Sequence, residues 1–314
     1  MEVRHYESGD EQILVNLWND SVQEDLMTLQ RFRDLVLLDA NFDPDGLKLA
    51  WEGGQLVGCS YAVRRKLPMH GTELEPEHGW IPFFFVHPSA RRKGVGTELL
   101  EQSSEFLRQL GRKKVFFASY APNYIVPGID KEAYPSGAAL LERLGFQRQY
   151  TAAAMDLSLV GFTMPPEIAE LIEQREQEGY CFRPVKLGDL YKTIQLANDE
   201  FNPDWGRAIR EGVLRNLPME QIMIVERADE IRGFVMYGGY EGIPERFGPF
   251  GVHSEERGKK LGKILLYQCL AAMKAKGLHS AWFLWTGETS PAGHLYRQAG
   301  FEVTRRFDVM FKEL

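Results

Sequence analysis

The feature that most constrains this chain is an internal repeat, because segments sharing one pattern are expected to fold alike. Val86 to Gly111 recurs without a gap as Val252 to Gly277, an offset of 166, with Gly96 on Gly262 and Leu99 on Leu265. Upstream, Arg4, Gly9, Asp10, Leu17, Asn19 and Asp20 align with Arg183, Gly188, Asp189, Leu196, Asn198 and Asp199 at an offset of 179. Two strand-like runs, Leu47 to Trp51 and Leu56 to Val63, return as Ile222 to Val225 and Ile231 to Tyr237 at an offset of 175. Lys114 to Ser119 matches Ser280 to Trp285, and Gly145-Phe146 matches Gly300-Phe301 at an offset of 155. The offset falls steadily, so the order of elements is kept while connections shorten. We read two copies of one α/β unit of about 150 residues, an ordinary domain size.

The repeated unit has a local physical logic. Phe83 to Val86 is a short apolar run of strand character, ended by His87-Pro88. Arg91-Arg92-Lys93-Gly94-Val95-Gly96 then supplies two glycines, which let the backbone turn tightly and approach a ligand. Val95, Leu99, Leu100, Phe106, Leu107 and Leu110 follow at helical spacing, and Gly111 stands where a helix-ending glycine belongs. Such a loop aims several unpaired N–H groups and a positive dipole end at one point, which suits a phosphate or pyrophosphate.

Domain boundaries are expected at 1–160 for the N-terminal copy, 161–180 for a linker helix and 181–314 for the C-terminal copy. The linker carries Pro165-Pro166, suited to a helix start, and the polar stretch Glu167 to Glu178. The main difference between copies is an insertion, Tyr120 to Tyr134, rich in Pro, Gly and aromatics such as Tyr124, Pro127, Gly128 and Tyr134. It either shapes a pocket or covers a sheet edge, and both readings stand. Cys59, Cys181 and Cys269 are widely spaced and read as free thiols of a reducing cytoplasm. A net charge of −7 argues against a nucleic-acid partner, and no apolar run reaches membrane-spanning length.

Two common phosphate loops fit poorly. Neither glycine loop has the Lys-Ser/Thr of a nucleotide-triphosphate loop, and both follow the fourth strand of their unit, where a dinucleotide fold places its glycines after the first. The pattern that remains is [Q/R]-x-x-G-x-[G/A] between strand and helix, with an upstream Val-His-Pro and a downstream helix ending Leu-Gly-Phe. This combination resembles the GNAT superfamily of acetyl-CoA-dependent N-acyltransferases, over both halves of the chain, in a tandem, mycothiol-synthase-like layout. The resemblance implies an α/β fold of two GNAT-like domains, each a mixed, mostly antiparallel central sheet flanked by helices. It implies acetyl-CoA as cofactor, no metal, and a small-molecule or peptide amine as acceptor.

Carried over residue by residue, the resemblance makes Arg91, Arg92, Lys93, Gly94, Val95, Gly96 and Thr97 the pyrophosphate loop of the first copy. Arg257, Gly258, Lys259, Lys260, Leu261, Gly262 and Lys263 are its second equivalent, with Lys260 in place of the first glycine. Lys260 is strained there only if its φ must be positive. Phe85 and Val86, and Gly251 and Val252, fall where the family's fourth strand offers backbone groups to the cofactor, and Thr289 opens the last helix. A tyrosine on that helix often serves the family as proton donor to the thiolate. Copy two has Thr289, Ala292, Leu295, Tyr296, Gly300 and Phe301 at the matching positions, and copy one has Leu141 where the tyrosine would be. Tyr296 is therefore the expected acid, against a core-aromatic alternative. Glu245 is the candidate base, with Glu241 behind it; both also fit solvated loop carboxylates. Glu75, Glu77 and His78 are the counterparts in copy one, while His87 and His253 read as strand caps. Trp282 and Trp285 either line the acceptor side or fill the core.

These residues predict an N-acetyltransferase whose C-terminal copy is catalytic, with the N-terminal copy binding acyl-CoA or building the acceptor pocket. Two alternatives are a non-catalytic acyl-CoA-binding regulator and a transferase using another donor, such as aminoacyl-tRNA or a long-chain acyl-CoA.

Overall fold

The computed structural model describes residues 1–121, 123 and 125–314, so Tyr124 of the insertion lies outside the described residues. They form two compact units: Met1–Pro68, Glu73–Ala152 and Arg305–Leu314 in the first, and Met69–Thr72 with Ala153–Thr304 in the second. The units thus differ from the contiguous halves expected from the repeat. The chain's end belongs to the first unit, and the helix read as a linker belongs to the second. The reason is physical: a strand joins the ladder that satisfies its backbone and buries its side chains, whatever its distance in sequence.

The first unit runs β1 (Glu2–His5), α1 (Glu11–Ser21), α2 (Leu29–Phe32), β2 (Leu47–Glu52), β3 (Gln55–Val63), β4 (His78–Val86), α3 (Val95–Gln109), β5 (Lys114–Phe117), α4 (Pro135–Arg143) and the start of β6 (Gln147–Ser158). β1 to β4 pair antiparallel in order, and β5 joins β4 in parallel. The sheet is completed from the chain's end, with Met310 to Glu313 antiparallel to Phe117 to Lys114. α1 buries Leu14 and Trp18 on one face, where Trp18 stacks edge-on against Phe83 and Phe85. α3 lies on the other face so closely that a Cβ at Gly58 would come within 2.9 Å of Leu99 Cδ1, which is why the middle of β3 is a glycine.

β4 carries a bulge. Tyr61 pairs with Phe83 but Val63 with Trp80, so three residues of β4 span what two of β3 do, with Ile81-Pro82 inside. Bulges bend the strand that carries them. The β4–β5 ladder ends at the same place: Ala118 N–H donates to Ile81 O, then Ala118 and Ser119 take positive φ and the chain turns away. Beyond Ile81 the two parallel strands part. His87 N–H donates to Val57 O, so by strand alternation the N–H groups of Phe84 and Val86 face the opened side.

The second unit holds the remainder of β6, then α5 (Pro166–Gln177), β7 (Tyr180–Pro184), α6 (Leu190–Glu200), α7 (Pro203–Leu214), β8 (Ile222–Arg227), β9 (Glu230–Tyr237), β10 (Phe247–Val252), α8 (Leu261–Ala275), β11 (Ser280–Thr286), α9 (Pro291–Gln298) and the start of β12 (Glu302–Glu313). Its sheet order is β10-β9-β8-β7, all antiparallel, and β11 pairs antiparallel with the 153–158 part of β6. Arg246 and Trp282 form a parallel bridge, and β10 has a bulge between Phe247 and Phe250, the counterpart of that in β4. The mixed, mostly antiparallel sheet flanked by helices is therefore present as expected. Among the described residues no helix is long and apolar enough to cross a membrane.

Candidate functional site

In the first unit the parted strands open into a cavity of about 1010 Å³. It is bounded by Phe83 to Val86 of β4, by the glycine loop, by residues 20–25 at and beyond the end of α1 and by α4. Ile125, Val126, Gly128, Ile129, Asp130, Ala133 and Tyr134 also line it, so the insertion shapes this pocket. Of the expected cofactor residues, Phe85, Val86, Arg91, Arg92, Gly94, Gly96 and Thr97 line the cavity.

The glycine loop is built to present amides. Gly94 is the N-cap of α3 at φ 88°, and no atom lies within 4 Å of where its Cβ would be. The helix ladder starts with Glu98 N–H on Gly94 O, which leaves the preceding amides to a ligand or water. Arg91 spends its guanidinium on structure, donating from Nε to Val86 O at 3.0 Å and from Nη2 to Ser21 O at 3.0 Å. Arg143 donates to Thr97 Oγ1 at 3.1 Å, which brings a second guanidinium to the start of α3. Lys93 faces Glu52 across 3.7 Å of exposed surface. Loop amides, a helix N-terminus, Arg92 and Arg143 at one mouth of a large cavity fit a pyrophosphate, and the parted strand beyond fits the extended arm of a coenzyme A.

The same loop in the second unit has the same backbone and different surroundings. Both loops place two residues at positive φ, Arg92 and Gly94 in the first, Gly258 and Lys260 in the second, so glycine and cation exchange places. Lys260 does adopt φ 61°, the strained case. A left-handed non-glycine residue costs about 1–2 kcal/mol, and glycine's extra chain entropy offsets part of that. Lys260→Gly is therefore expected to stabilise the second unit by about 0.5–1 kcal/mol in urea unfolding; an unchanged or lower midpoint would contradict this account.

Two cations of loop two, Lys259 and Lys263, are already paired. Lys259 Nζ lies 2.6 Å from Glu256 Oε2 and 2.8 Å from Tyr180 Oη, and Tyr180 donates to the same carboxylate at 2.5 Å. Burial alone would raise the pKa of Glu256, but these hydrogen bonds hold it below the usual value, as an anion. Lys263 pairs with Glu167 of α5 at 3.2 Å, and Glu200 accepts from Ser254 N–H beside His253 and Arg257. Gly251 is covered: a Cβ there would lie 2.5 Å from Phe201 Cζ. Thr289 is exposed just before Ser290, whose Oγ caps α9 through Gly293 N–H.

Tyr296, the expected acid, is 7% exposed, its ring among Phe247, Phe250, Phe283 and Phe301 with centroids 4.5–6.1 Å away. Burial in this apolar cluster pushes its pKa far above the ordinary value. Glu245, the candidate base, is half-buried ahead of β10, and its carbonyl accepts from Trp282 N–H at 3.0 Å. Glu241 is tied to buried Arg246 at 2.6 Å, and Trp282 lies against the same guanidinium. In copy one, Glu75 holds Arg65 and His78, and Glu77 holds Lys113. His87 and His253 cap short 3-10 turns through Ser89 and Glu255 N–H.

Asp25 and Tyr134 line the first cavity and Arg305 holds Asp25 from beside it; sequence reasoning named Tyr134 only as part of the insertion and gave none of the three a role. Tyr134 Oη donates to Asp25 Oδ2 at 2.8 Å; Arg305 grips Asp25 through two nitrogens and Asp130 through Nε at 2.8 Å. Burial first, then the Asp25 charge, raises the Tyr134 pKa so far that it stays an O–H donor at neutral pH. The 155 offset puts Tyr134 on Thr289, a signal that was available; Asp25 and Arg305, 280 positions apart, left none.

Comparison with known proteins gives the family. Residues 12–126 match the model of the Acetyltransferase (GNAT) family, and 218–303 match that of an Acetyltransferase (GNAT) domain. A mycothiol acetyltransferase of Pseudarthrobacter chlorophenolicus is 26% identical over 97% of this chain and 86% of its own. Among solved structures, a GCN5-related N-acetyltransferase from Sphaerobacter thermophilus superposes with a TM-score of 0.73 at 18% identity, over 99% of this chain and 95% of its own. A GCN5-related glucosamine N-acetyltransferase region of a fungal multi-domain GH3 β-N-acetylglucosaminidase gives 0.80 at 18% identity, over 99% of this chain but 38% of that protein. The chain belongs to the GNAT acetyltransferases, as a tandem pair of GNAT domains using acetyl-CoA as donor.

Proposed function

We propose that the first unit binds acetyl-CoA and carries the acetyl transfer to a small-molecule amine, while the second unit supports the fold. The observation that carries this reading is the contrast between the two loops: the first opens onto a large cavity, whereas in the second Lys259 and Lys263 are paired with Glu256 and Glu167 and the neighbouring Gly251 is covered by Phe201. It reverses the expectation that the C-terminal copy catalyses, and it assigns Tyr296 to the aromatic core of its unit.

Arg92, Arg143 and the amides from Gly94 to Thr97 would hold the pyrophosphate, and the Phe84 and Val86 amides would receive the pantetheine arm and the thioester oxygen. Acetyl-CoA, when bound, supplies an acyl thioester whose C–S bond is exchanged for a C–N bond to the amine, CoA leaving as a thiolate that takes a proton from solvent. The chain's own task is to orient the amine and take its proton, since an alkylammonium with a pKa of about 10.4 is no nucleophile at neutral pH. Asp20 and Glu24 line the cavity with exposed carboxylates that can pass that proton to water.

Calorimetric titration with acetyl-CoA is expected to count one site per chain; two equivalent sites would overturn the assignment. Tyr296→Phe is expected to leave turnover within about twofold of the parent, because a hydroxyl in an aromatic cluster touches no reacting atom. A fall of about a hundredfold with unchanged acetyl-CoA affinity would return catalysis to the second unit.

A further inference from the structure

The cofactor arm has a direction in the first cavity. The glycine loop takes the phosphates, and the arm follows the opened edge of β4 past the Val86 N–H and then the Phe84 N–H. That path heads toward Ile81, where Ala118 N–H on Ile81 O joins the two strands again. The group carried at the end of the arm therefore faces the closed end of the gap, and this end is apolar. Phe84 and Val126 line the cavity half-buried, whereas Phe83 and Phe85, on the other face of β4, pack against Trp18. Phe117 at the end of β5 meets the Phe84 ring edge-on at 5.6 Å, and Ile129 of the insertion lines the same cavity.

Gly137 is a second, independent observation at this end. It stands in the first turn of α4 and lines the cavity. Its φ lies outside the left-handed region, so the backbone does not call for glycine. A Cβ there would lie 3.6 Å from Ile129 Cδ1 and 3.7 Å from Phe84 Cζ, which are ordinary contact distances, so packing accepts alanine as well. Copy two has Ala292 at the matching position, at the offset of 155. Glycine inside a helix is less stable than alanine. What the missing side chain leaves is space against Phe84 and Ile129.

Resting on the reading that the first unit binds acetyl-CoA, we propose that this apolar end is an acyl subsite, which holds an unbranched aliphatic acyl group longer than acetyl on the same coenzyme. Acetyl brings a single methyl, too little to cover Phe84, Val126 and the space over Gly137. Each further methylene moved from water onto such a surface strengthens binding by about fourfold. The ammonium of an acceptor gains nothing from these side chains, whereas the acyl group lies next along the arm.

Calorimetric titration of the full chain with acetyl-CoA and with n-butyryl-CoA tests this, since the two donors differ only in two methylenes. Butyryl-CoA is expected to bind about tenfold tighter. Its heat-capacity change on binding should be the more negative, the mark of extra apolar burial. Gly137→Leu fills the space from a position whose backbone and Cβ are accepted. It should cancel the butyryl advantage and leave acetyl-CoA affinity within about twofold of the parent. Butyryl-CoA binding no tighter than acetyl-CoA in the parent chain overturns the subsite, and that comparison stands even where the variant does not fold. An advantage that survives Gly137→Leu overturns it too. So does a folded variant that loses both ligands alike, since the space would then belong to the arm. The underlying reading fails separately, if acetyl-CoA binding survives Gly96→Glu.

Discussion

Gly96→Glu is expected to remove acetyl-CoA binding, with an affinity loss of at least about a hundredfold, and turnover with it. Gly96 stands in the first turn of α3 and lines the cavity. It has ordinary helical φ, so a side chain is allowed by the backbone. A Cβ there would meet Leu140 Cδ2 at 2.9 Å, the far end of a flexible side chain that can give way. The fold therefore tolerates the change, and a glutamate near a helix N-terminus favours the helix dipole. What it opposes is the ligand. A carboxylate about 4 Å from a phosphate charge repels it by about 4 kcal/mol at an effective dielectric constant of 20. Gly96→Ala separates bulk from charge and should lose far less. Gly262→Glu is the matched control, since a Cβ there meets Phe250 Cζ at 3.3 Å in the unit where Lys259 and Lys263 of the loop are already paired. If Gly262→Glu abolishes binding and Gly96→Glu does not, the two units have been assigned in the wrong order.

That comparison also marks where sequence reading succeeds and stops. The glycine loop and its helix are decided within twenty-odd residues, by a turn that needs positive φ at two positions and by helical periodicity. Both copies were legible for that reason, with the strain at Lys260 left conditional on a φ that the structure supplies as 61°. Tyr296 has the motif spacing of a proton donor, and spacing does not report what surrounds a ring. Phe247 stands where the first copy has Ile81, and the larger side chain helps close the cluster around Tyr296. The cluster of Asp25, Asp130 and Arg305 was invisible because its parts meet only in space: Asp25 after the first helix, Asp130 in the insertion, Arg305 near the chain's end. The last strand misled in the same way. Alternating burial marks a strand, but the choice of partner is set by ladders that no local pattern names.

That strand supports the second large prediction. Removal of residues 305–314 is expected to unfold the first unit, although the whole of its contiguous sequence would remain. Phe307, Val309 and Met310 are buried to within 2% exposure, and each such side chain contributes about 1.5–3 kcal/mol. Together they approach the 5–15 kcal/mol that holds a typical domain, about 5–9 kcal/mol before any hydrogen bond is counted. The ladder from Met310 to Glu313 also leaves β5 with one edge unpaired when it goes, and Ile129 loses both bonds to Asp308. Gly128 shows how closely this segment is seated, since a Cβ there would come within 2.2 Å of Asp308 O. Thermal unfolding of the shortened chain should lose the first unit's transition, and acetyl-CoA binding should vanish although the glycine loop is intact. Phe307→Ala is the graded version, expected to cost about 3–5 kcal/mol and to lower the melting temperature without abolishing the fold. A shortened chain that still melts cooperatively in both units and still binds acetyl-CoA would mean that the ladder on β5 is dispensable. The first unit would then close its own core without its last strand.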